Sequence, residues 1–256
     1  MVTIASWNVN SIRARLGHLI RWIDLHPPDL LGLQETKIQD ADFPREAFAE
    51  RGYHLTVCGQ RSYNGVAVLS RNAPLAVHTE IPSFDDPQRR VLGVAFSEVY
   101  LLNLYVPNGS AVGTDKYAYK LAWLDALAAW LPQLLAQYPS IVIVGDFNIA
   151  PADRDVHDPE AWRDQVLCSE PERARFGEIL ALGFADTFRL FDGGAGQFSW
   201  WDYRAGAFRR NRGLRIDLIL ANGHAAKQCR EASIDRMPRT WDRPSDHAPV
   251  MAKFDF

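Results

Sequence analysis

The chain has 256 residues, 47% of them hydrophobic and 23% charged, the balance of an ordinary folded protein. That composition excludes a disordered, collagenous or coiled-coil chain. With 28 basic and 31 acidic residues the net charge is −3, which does not suggest a non-specific polyanion binder, although local patches rather than the total decide affinity for nucleic acid.

The first apolar run, residues 2–7, reads as a strand. No basic segment or cleavage site precedes it, which predicts a cytoplasmic protein with no signal peptide. A helix begins after Asn10, with Ile12, Leu16, Leu19, Ile20 and Ile23 at helical spacing, and Pro27-Pro28 stops it. Further strands are predicted at residues 30–34, 65–70, 91–96 and 100–105. A long helix over about 116–136 carries Leu121, Leu124, Leu127, Leu131 and Leu135 on one stripe, and Pro132 is expected to kink or divide it. Residues 126–145 contain no charged side chain, a length that raises the question of a membrane span. Pro132, Gln133, Gln137, Pro139 and Ser140 interrupt the run, so it reads as helix, turn and a buried strand at 141–144. A weaker helix at about 171–182 and strands at 216–221 and 249–254 complete the pattern.

Several of these strands are apolar throughout, which suits strands covered on both faces. Strands outnumber helices and alternate with them irregularly, and no repeat or linker is visible. The expectation is one layered α/β domain over residues 1–256, built on more than one sheet. Cys58, Cys168 and Cys229 are far apart and show no CxxC or CxxxxH spacing. No structural zinc site is expected, and the sparse, odd count fits reduced thiols.

The informative pattern lies at the strand ends. Gly145 leads into Asp146-Phe147-Asn148, Leu33 into Gln34-Glu35-Thr36, and Trp7 into Asn8-Val9-Asn10. Asp217 interrupts an apolar strand, and Ser245-Asp246-His247 stands directly before the last one. Ligands of open α/β sheets gather at the carboxyl ends of strands. If these ends share one edge, Asn8, Glu35, Asp146, Asn148, Asp246 and His247 converge. Crowded carboxylates repel, and burying them unpaired is costly. A hard divalent cation resolves the conflict, and oxygen donors select magnesium or manganese over zinc. The reaction class this suggests is metal-assisted hydrolysis of a phosphate ester. Taken singly, an Asp after a strand is more often a turn or cap residue, and Asn8 alone would be a helix cap. Five strand ends repeating the same coincidence is a different matter.

The segments Trp7-Asn8-Val9-Asn10, Leu33-Gln34-Glu35-Thr36-Lys37, Tyr63-Asn64-Gly65-Val66-Ala67, Tyr105-Val106-Pro107-Asn108-Gly109, Gly145-Asp146-Phe147-Asn148-Ile149, Gly213-Leu214-Arg215-Ile216-Asp217 and Ser245-Asp246-His247-Ala248-Pro249 resemble, in that order, the exonuclease III family. These are the apurinic/apyrimidinic endonucleases of the endonuclease/exonuclease/phosphatase superfamily. Pro87-Gln88-Arg89-Arg90 and the segment from Phe198 to Arg204 narrow the resemblance to the bacterial DNA-repair branch. It implies a four-layer α/β/β/α sandwich of two packed mixed sheets flanked by helices. It also implies a metal-dependent nuclease with 3′–5′ exonuclease, abasic-site endonuclease and 3′-phosphatase activities. By match to the motifs, Glu35 is the principal ligand for Mg²⁺ or Mn²⁺, with Asn8 and Asp246 close to it. Asp146 and Asn148 are candidates for a second metal. Asp146 would activate water, and Asn148 would bond the scissile phosphate. Asp217 would hold His247 as a donor, and Tyr105 would contact the phosphate or assist the leaving oxygen. Position 10 is Asn where some relatives carry Asp, so Asn10 is left out of the ligand set.

Residues 203–216 carry Arg204, Arg209, Arg210, Arg212 and Arg215 with no acid among them. They form a candidate clamp for the backbone of double-stranded DNA, with Arg89-Arg90 a weaker one. A solvated surface loop is the plainer alternative. Asn108 is a further DNA contact by resemblance. Trp200, Leu214 and Ile216 match positions lining an apolar pocket that could seat a flipped-out abasic sugar. The expected partner is DNA with abasic sites or 3′ ends, bound by a monomer without membrane or nucleotide cofactor and associated with the nucleoid through DNA. Two readings compete with this one: a relative cleaving a phosphoinositide or sphingomyelin, and a non-catalytic DNA-binding module.

Overall fold

Alternate residues of a strand face opposite ways, and here both faces find cover. The computed structural model describes residues 1–191 and 194–256. Its first half runs β1 (Val2–Asn8), α1 (Ile12–Leu25), β2 (Leu30–Gln34), α2 (Arg45–Ala49), β3 (His54–Cys58) and β4 (Val66–Ser70). Next come β5 (Ala76–His78), β6 (Val91–Ala95), β7 (Tyr100–Tyr105), α3 (Asp115–Gln137), β8 (Ile141–Asp146), α4 (Glu170–Ala181), β9 (Phe184–Asp186) and β10 (Asp217–Asn222). The chain closes with α5 (Gly223–Ala226), β11 (Cys229–Ile234) and β12 (Val250–Phe254).

Two six-stranded sheets result, in the orders β11-β12-β1-β2-β4-β3 and β5-β6-β7-β8-β10-β9. Each has one parallel pair at its centre, β1 with β2 and β7 with β8, and each pair is joined through a long helix. All other pairings are antiparallel. The two sheets therefore repeat one topology, although the sequence shows no repeat.

Ile4, Leu30, Val68, Leu101, Val142 and Ile219 point between the sheets and form the middle layer. Their chain neighbours point outward. Ala5, Leu31 and Leu69 pack with Ile12, Leu19 and Trp22 of α1. Leu102, Ile143 and Leu220 pack with Trp123, Leu127, Leu131 of α3 and Ile179 of α4. This is the expected four-layer sandwich. No helix among the described residues is long and apolar enough to cross a membrane. The uncharged run at 126–145 is the end of α3, a turn and β8.

The expected division of the long helix is not seen. Pro132 does not divide the long helix, which runs unbroken from Asp115 to Gln137. Pro132 lies on the exposed side, so its ring meets solvent and water can serve the carbonyl left without a donor. Trp130, Leu131 and Leu134 beside it stay buried against the sheet.

The middle layer also contains amides. Asn103 of β7 is 0% exposed. Its Nδ2 donates to the carbonyls of Leu33 and Ala67 in the opposite sheet, at 3.0 and 2.9 Å, and its Oδ1 accepts from Gln34 at 2.6 Å. Gly32 makes room for it, since a Cβ there would lie 2.7 Å from Val144 Cγ2 and 2.9 Å from Asn103 Oδ1. The clamp fixes the two sheets just below the strand ends that carry the acids. Asn103→Ala strips the Gln34 amide of a buried acceptor and two carbonyls of a donor. It is expected to lower the unfolding free energy by about 3 kcal/mol, measured by urea denaturation; a loss below about 1 kcal/mol would mean the clamp contributes little beyond an ordinary hydrogen bond.

Candidate active site

The two parallel pairs end side by side. Register sets Asn8 opposite Gln34 in one sheet and Tyr105 opposite Asp146 in the other. The antiparallel strand β10 places Asp217 opposite Asp146. The segment before β12 brings in His247, tied to Trp200 by an isolated bridge. Asn8, Glu35, Tyr105, Asp146, Asn148, Asp217, Asp246 and His247 thus gather at one end of the sandwich.

Asn8 links the sheets. Its Nδ2 donates to Glu35 Oε1 and to Asp146 Oδ2, both at 2.9 Å, while its Oδ1 accepts from the backbone of Asn10. The expected metal ligand therefore presents its nitrogen, not its oxygen, to the two carboxylates. Asp146 also accepts from Asn148 twice, from the backbone N–H at 2.9 Å and from Nδ2 at 3.3 Å. The remaining Asn148 amide hydrogen goes to Val106 O, and Asn148 Oδ1 accepts from Asn108. In this arrangement Asn148 grips Asp146.

His247 stands between two acids. Nδ1 lies 2.9 Å from Asp217 Oδ2 and Nε2 lies 3.8 Å from Asp146 Oδ2. Ser199 Oγ accepts from the backbone of Ile216 and Asp217, and Ser245 Oγ bridges the Asn8 carbonyl and the His247 N–H. The Ser199 and Ser245 hydroxyls thus hold the backbone that carries both residues.

Burial alone would lower the His247 pKa, but the carboxylates of Asp217, Asp146 and Asp246 outweigh it and push it up to about 10. Burial holds Asp146 above the usual carboxylate range; the His247 charge pulls it back, and Asp217 and Glu35 push it further up. Burial and the Glu35 and Asp146 charges keep the Tyr105 hydroxyl protonated well above its ordinary range. Asp246 sits low despite burial, through the His247 charge and bonds from Trp200 and Asn10. Its oxygens accept from Asn10 at 2.9 Å, Trp200 at 3.0 Å and Tyr203 at 3.3 Å.

Glu35, Asp146 and His247 each present an atom able to bind a metal, all within 4.8 Å of one another. Asp246 stands outside that group. Three residues belong to the site that the expected set did not include, Asn10 having been left out of it as a ligand. Lys37 pairs with Glu35 at 2.9 Å, and Asn10 and Tyr203 hold Asp246. Asn10, Ser11, Glu35, Lys37 and Asn148 all adopt positive φ without being glycine. Such conformations persist where surrounding contacts over-determine them, and they concentrate at functional sites.

The expected DNA contacts separate. Arg209, Arg210 and Arg212 are exposed on a loop beside Trp201. Arg215 is not part of that clamp: it is buried and paired with Asp155 at 2.7 Å and Asp186 at 2.6 Å. Arg204 pairs with Asp202 at 3.0 Å. Arg90 borders a cavity of about 370 Å³ with Asn108, Tyr63 and Lys116, but its guanidinium is committed to Gln88 and the Tyr105 carbonyl and lies 4.7 Å from the Tyr105 ring centre. It supports Tyr105 rather than reaching outward. Leu214 and Ile216 are buried in a cluster with Val156, Leu167, Trp162 and Trp200. Trp201 is core, while Trp200 is half-buried with Trp162 edge-on against it at 6.5 Å.

Known proteins share this architecture. The Endonuclease/Exonuclease/phosphatase family pattern matches residues 5–247. Exodeoxyribonuclease III of Haemophilus influenzae is 35% identical over 97% of this chain and 98% of its own. A 3′ phosphatase from Neisseria, solved bound to a product DNA hairpin, superposes with a TM-score of 0.98 at 41% identity over the full length of both chains. An AP endonuclease from Archaeoglobus fulgidus superposes at 0.96 with 37% identity, again over the whole of both chains.

The histidine makes a direct prediction. A proton held more tightly in the folded than in the unfolded state contributes stability that is complete below about pH 6.5 and is lost as the pH rises toward about 10. In ¹⁵N-histidine spectra His247 is expected to remain doubly protonated at pH 8. Asp217→Asn should bring its midpoint down by about one pH unit or more. A neutral His247 ring at pH 8 in the unaltered protein would contradict the charge arrangement.

Proposed function

The chain belongs to the endonuclease/exonuclease/phosphatase family, and from that premise we propose a metal-dependent DNA-repair nuclease that hydrolyses phosphodiester bonds at abasic sites and 3′ ends of double-stranded DNA. The proposed activities are 3′–5′ exonuclease, abasic-site endonuclease and 3′ phosphatase, those for which its relatives are named. One observation carries the reading: a buried Asp217–His247–Asp146 line facing Glu35 across the junction of two sheets. A binding module gains nothing from burying that much charge.

In-line attack on a phosphodiester needs a base for water and donors for the developing oxygen charge. Asp146, gripped by Asn148 and Asn8, is the base in this reading. His247, kept protonated by Asp217, donates through Nε2 to a phosphate oxygen. Tyr105, protonated across the working range, donates to the phosphate or the leaving oxygen. Asn148 can turn the amide hydrogen it now directs at Asp146 toward the phosphate.

Whether a cation fits is answered by the donor set. Glu35 and Asp146 are hard oxygen donors set close together, and their mutual repulsion helps hold the Asp146 pKa up. A cation would relieve that repulsion, and oxygen donors suit Mg²⁺ or Mn²⁺. His247, charged, serves as a donor and not as a ligand. Glu35 is the proposed anchor and Asp146 its neighbour, with Asp246 adding negative charge nearby. Asn8 joins them only with its amide turned over. When bound, the ion would supply Lewis-acid charge to a phosphate oxygen.

Two experiments test this reading. Asp146→Asn should cut single-turnover cleavage of an abasic duplex and of a 3′-phosphate duplex by about 10²–10⁴-fold, with DNA affinity retained. EDTA should abolish cleavage and Mg²⁺ or Mn²⁺ restore it; metal-independent turnover, or full activity of the variant, refutes the assignment. The second concerns the exposed arginines. Replacing Arg209 and Arg210 with Ala should weaken duplex binding and reduce the slope of log K against log salt by about 2. An unchanged slope removes them from the interface.

A further inference from the structure

Lys120 of α3 and Glu172 of α4 form an ion pair in which both side chains are 0% exposed. The surrounding stripe of α3 is aromatic or aliphatic: Tyr117, Trp123, Leu124 and Leu127. A buried ammonium there is costly, and an apolar residue would pack as well. What the charge achieves is visible in its partners. An ammonium has three hydrogens, and Lys120 Nζ directs them to the Asn148 carbonyl at 2.6 Å, the Asn108 carbonyl at 3.2 Å and Glu172. Two site loops are drawn onto one atom.

The consequence reaches the site. Asn148 has φ +49. With its carbonyl turned inward to Lys120, its backbone N–H and its Nδ2 both face Asp146. Asn108, held by the same ammonium, donates its amide to Asn148 Oδ1 at 3.0 Å. Gly109 comes next with φ +90, and a Cβ there would sit 3.1 Å from Lys120 Cδ, so the loop is shaped to pass over the lysine stem. Glu172 is anchored separately, accepting from the backbone of Leu167 at 3.0 Å and Ser169 at 3.2 Å.

We propose that Lys120 is a positioning residue for hydrolysis: by fixing the Asn148 and Asn108 carbonyls it aims the amides that hold Asp146, and Glu172 serves as its counter-ion. The proposal rests on Asp146 acting as the base. The test compares the unaltered protein with two variants, on an abasic duplex and a 3′-phosphate duplex in Mg²⁺ buffer. Lys120→Met/Glu172→Gln removes both charges and keeps a cap acceptor for α4. It should unfold cooperatively and bind DNA with nearly unchanged affinity and KM, while kcat falls by about 10²-fold, the cost of a small misplacement. Glu172→Gln alone keeps both carbonyl contacts, so it should lower the melting temperature and leave kcat within about 3-fold (about RT in barrier height). An unchanged kcat in the double variant overturns the proposal, and so does an equal loss in Glu172→Gln alone. If the Met variant fails to fold, Lys120→Gln/Glu172→Gln, whose uncharged amide sits on a stem too short to reach both carbonyls as the ammonium does, is measured instead: a loss of about 10-fold, one hydrogen bond's worth, supports the proposal and unaltered turnover overturns it. Failure of the unaltered protein to cut either duplex would instead strike at the nuclease reading.

Discussion

The charge that His247 carries between Asp217 and Asp146 conditions everything else at this end of the molecule. Without it, the buried carboxylates of Asp217 and Asp146 would face each other and Glu35 as uncompensated like charges. With it, Asp217 and Asp146 share one cation, and Glu35 has its own in Lys37. Burying paired charge rarely adds stability. The site is therefore a cost that the sandwich must carry, and the fixed polar scaffold around it shows how. Ser199, Ser245 and Asn8 each spend their bonds on holding backbone or carboxylate in place.

The fold makes that site by using one topology twice. In each sheet a parallel pair crosses over through a long helix, and both pairs end at the same end of the sandwich. One half contributes Asn8 and Glu35, the other Tyr105, Asp146 and Asn148. Neither half holds a complete set. The clamp of Asn103 on Leu33 and Ala67 ties the halves together just beneath the site, so the polar interior of the sandwich and the reacting groups form one continuous arrangement.

The sequence disclosed the interior of this fold and concealed its margins. All eight strands expected from apolar runs are present, because a strand covered on both faces has no use for polar residues. The four strands that went unseen, β3, β5, β9 and β11, are the outer strand at each end of each sheet. Edge strands face water on one side and carry charges that break the pattern, as Arg230 and Glu231 do in β11. The same logic divides the site. Acids at strand ends announced themselves because they interrupt apolar runs. Lys37 and Tyr203 did not, because nothing in a loop sequence tells which polar side chain will turn inward, and Asn10, set aside as a metal ligand, serves instead as a donor to Asp246. Arg215 and Arg90 misled for the opposite reason. Arginine in a basic stretch reads as exposed, and only the fold places Asp155 and Asp186 around the first and Tyr105 beneath the second.

That ambiguity bears on how such a site is kept rigid. Asn10, Glu35 and Asn148 reach the centre from loops, and each sits at positive φ, a conformation costing on the order of 1 kcal/mol or more for a residue with a side chain. Loops of this kind relax unless something holds them. Each of the three is held from behind: Asn10 through the Asn8 amide oxygen and Lys37, Glu35 through its carbonyl bond to Ser11, and Asn148 through Lys120. Two of the holding groups are cations, Lys37 paired with Glu35 and Lys120 with Glu172. Lys37 therefore lowers the electrostatic cost of the cluster while it fixes its geometry, whereas Lys120, its charge met by Glu172, acts through the loop carbonyls it holds.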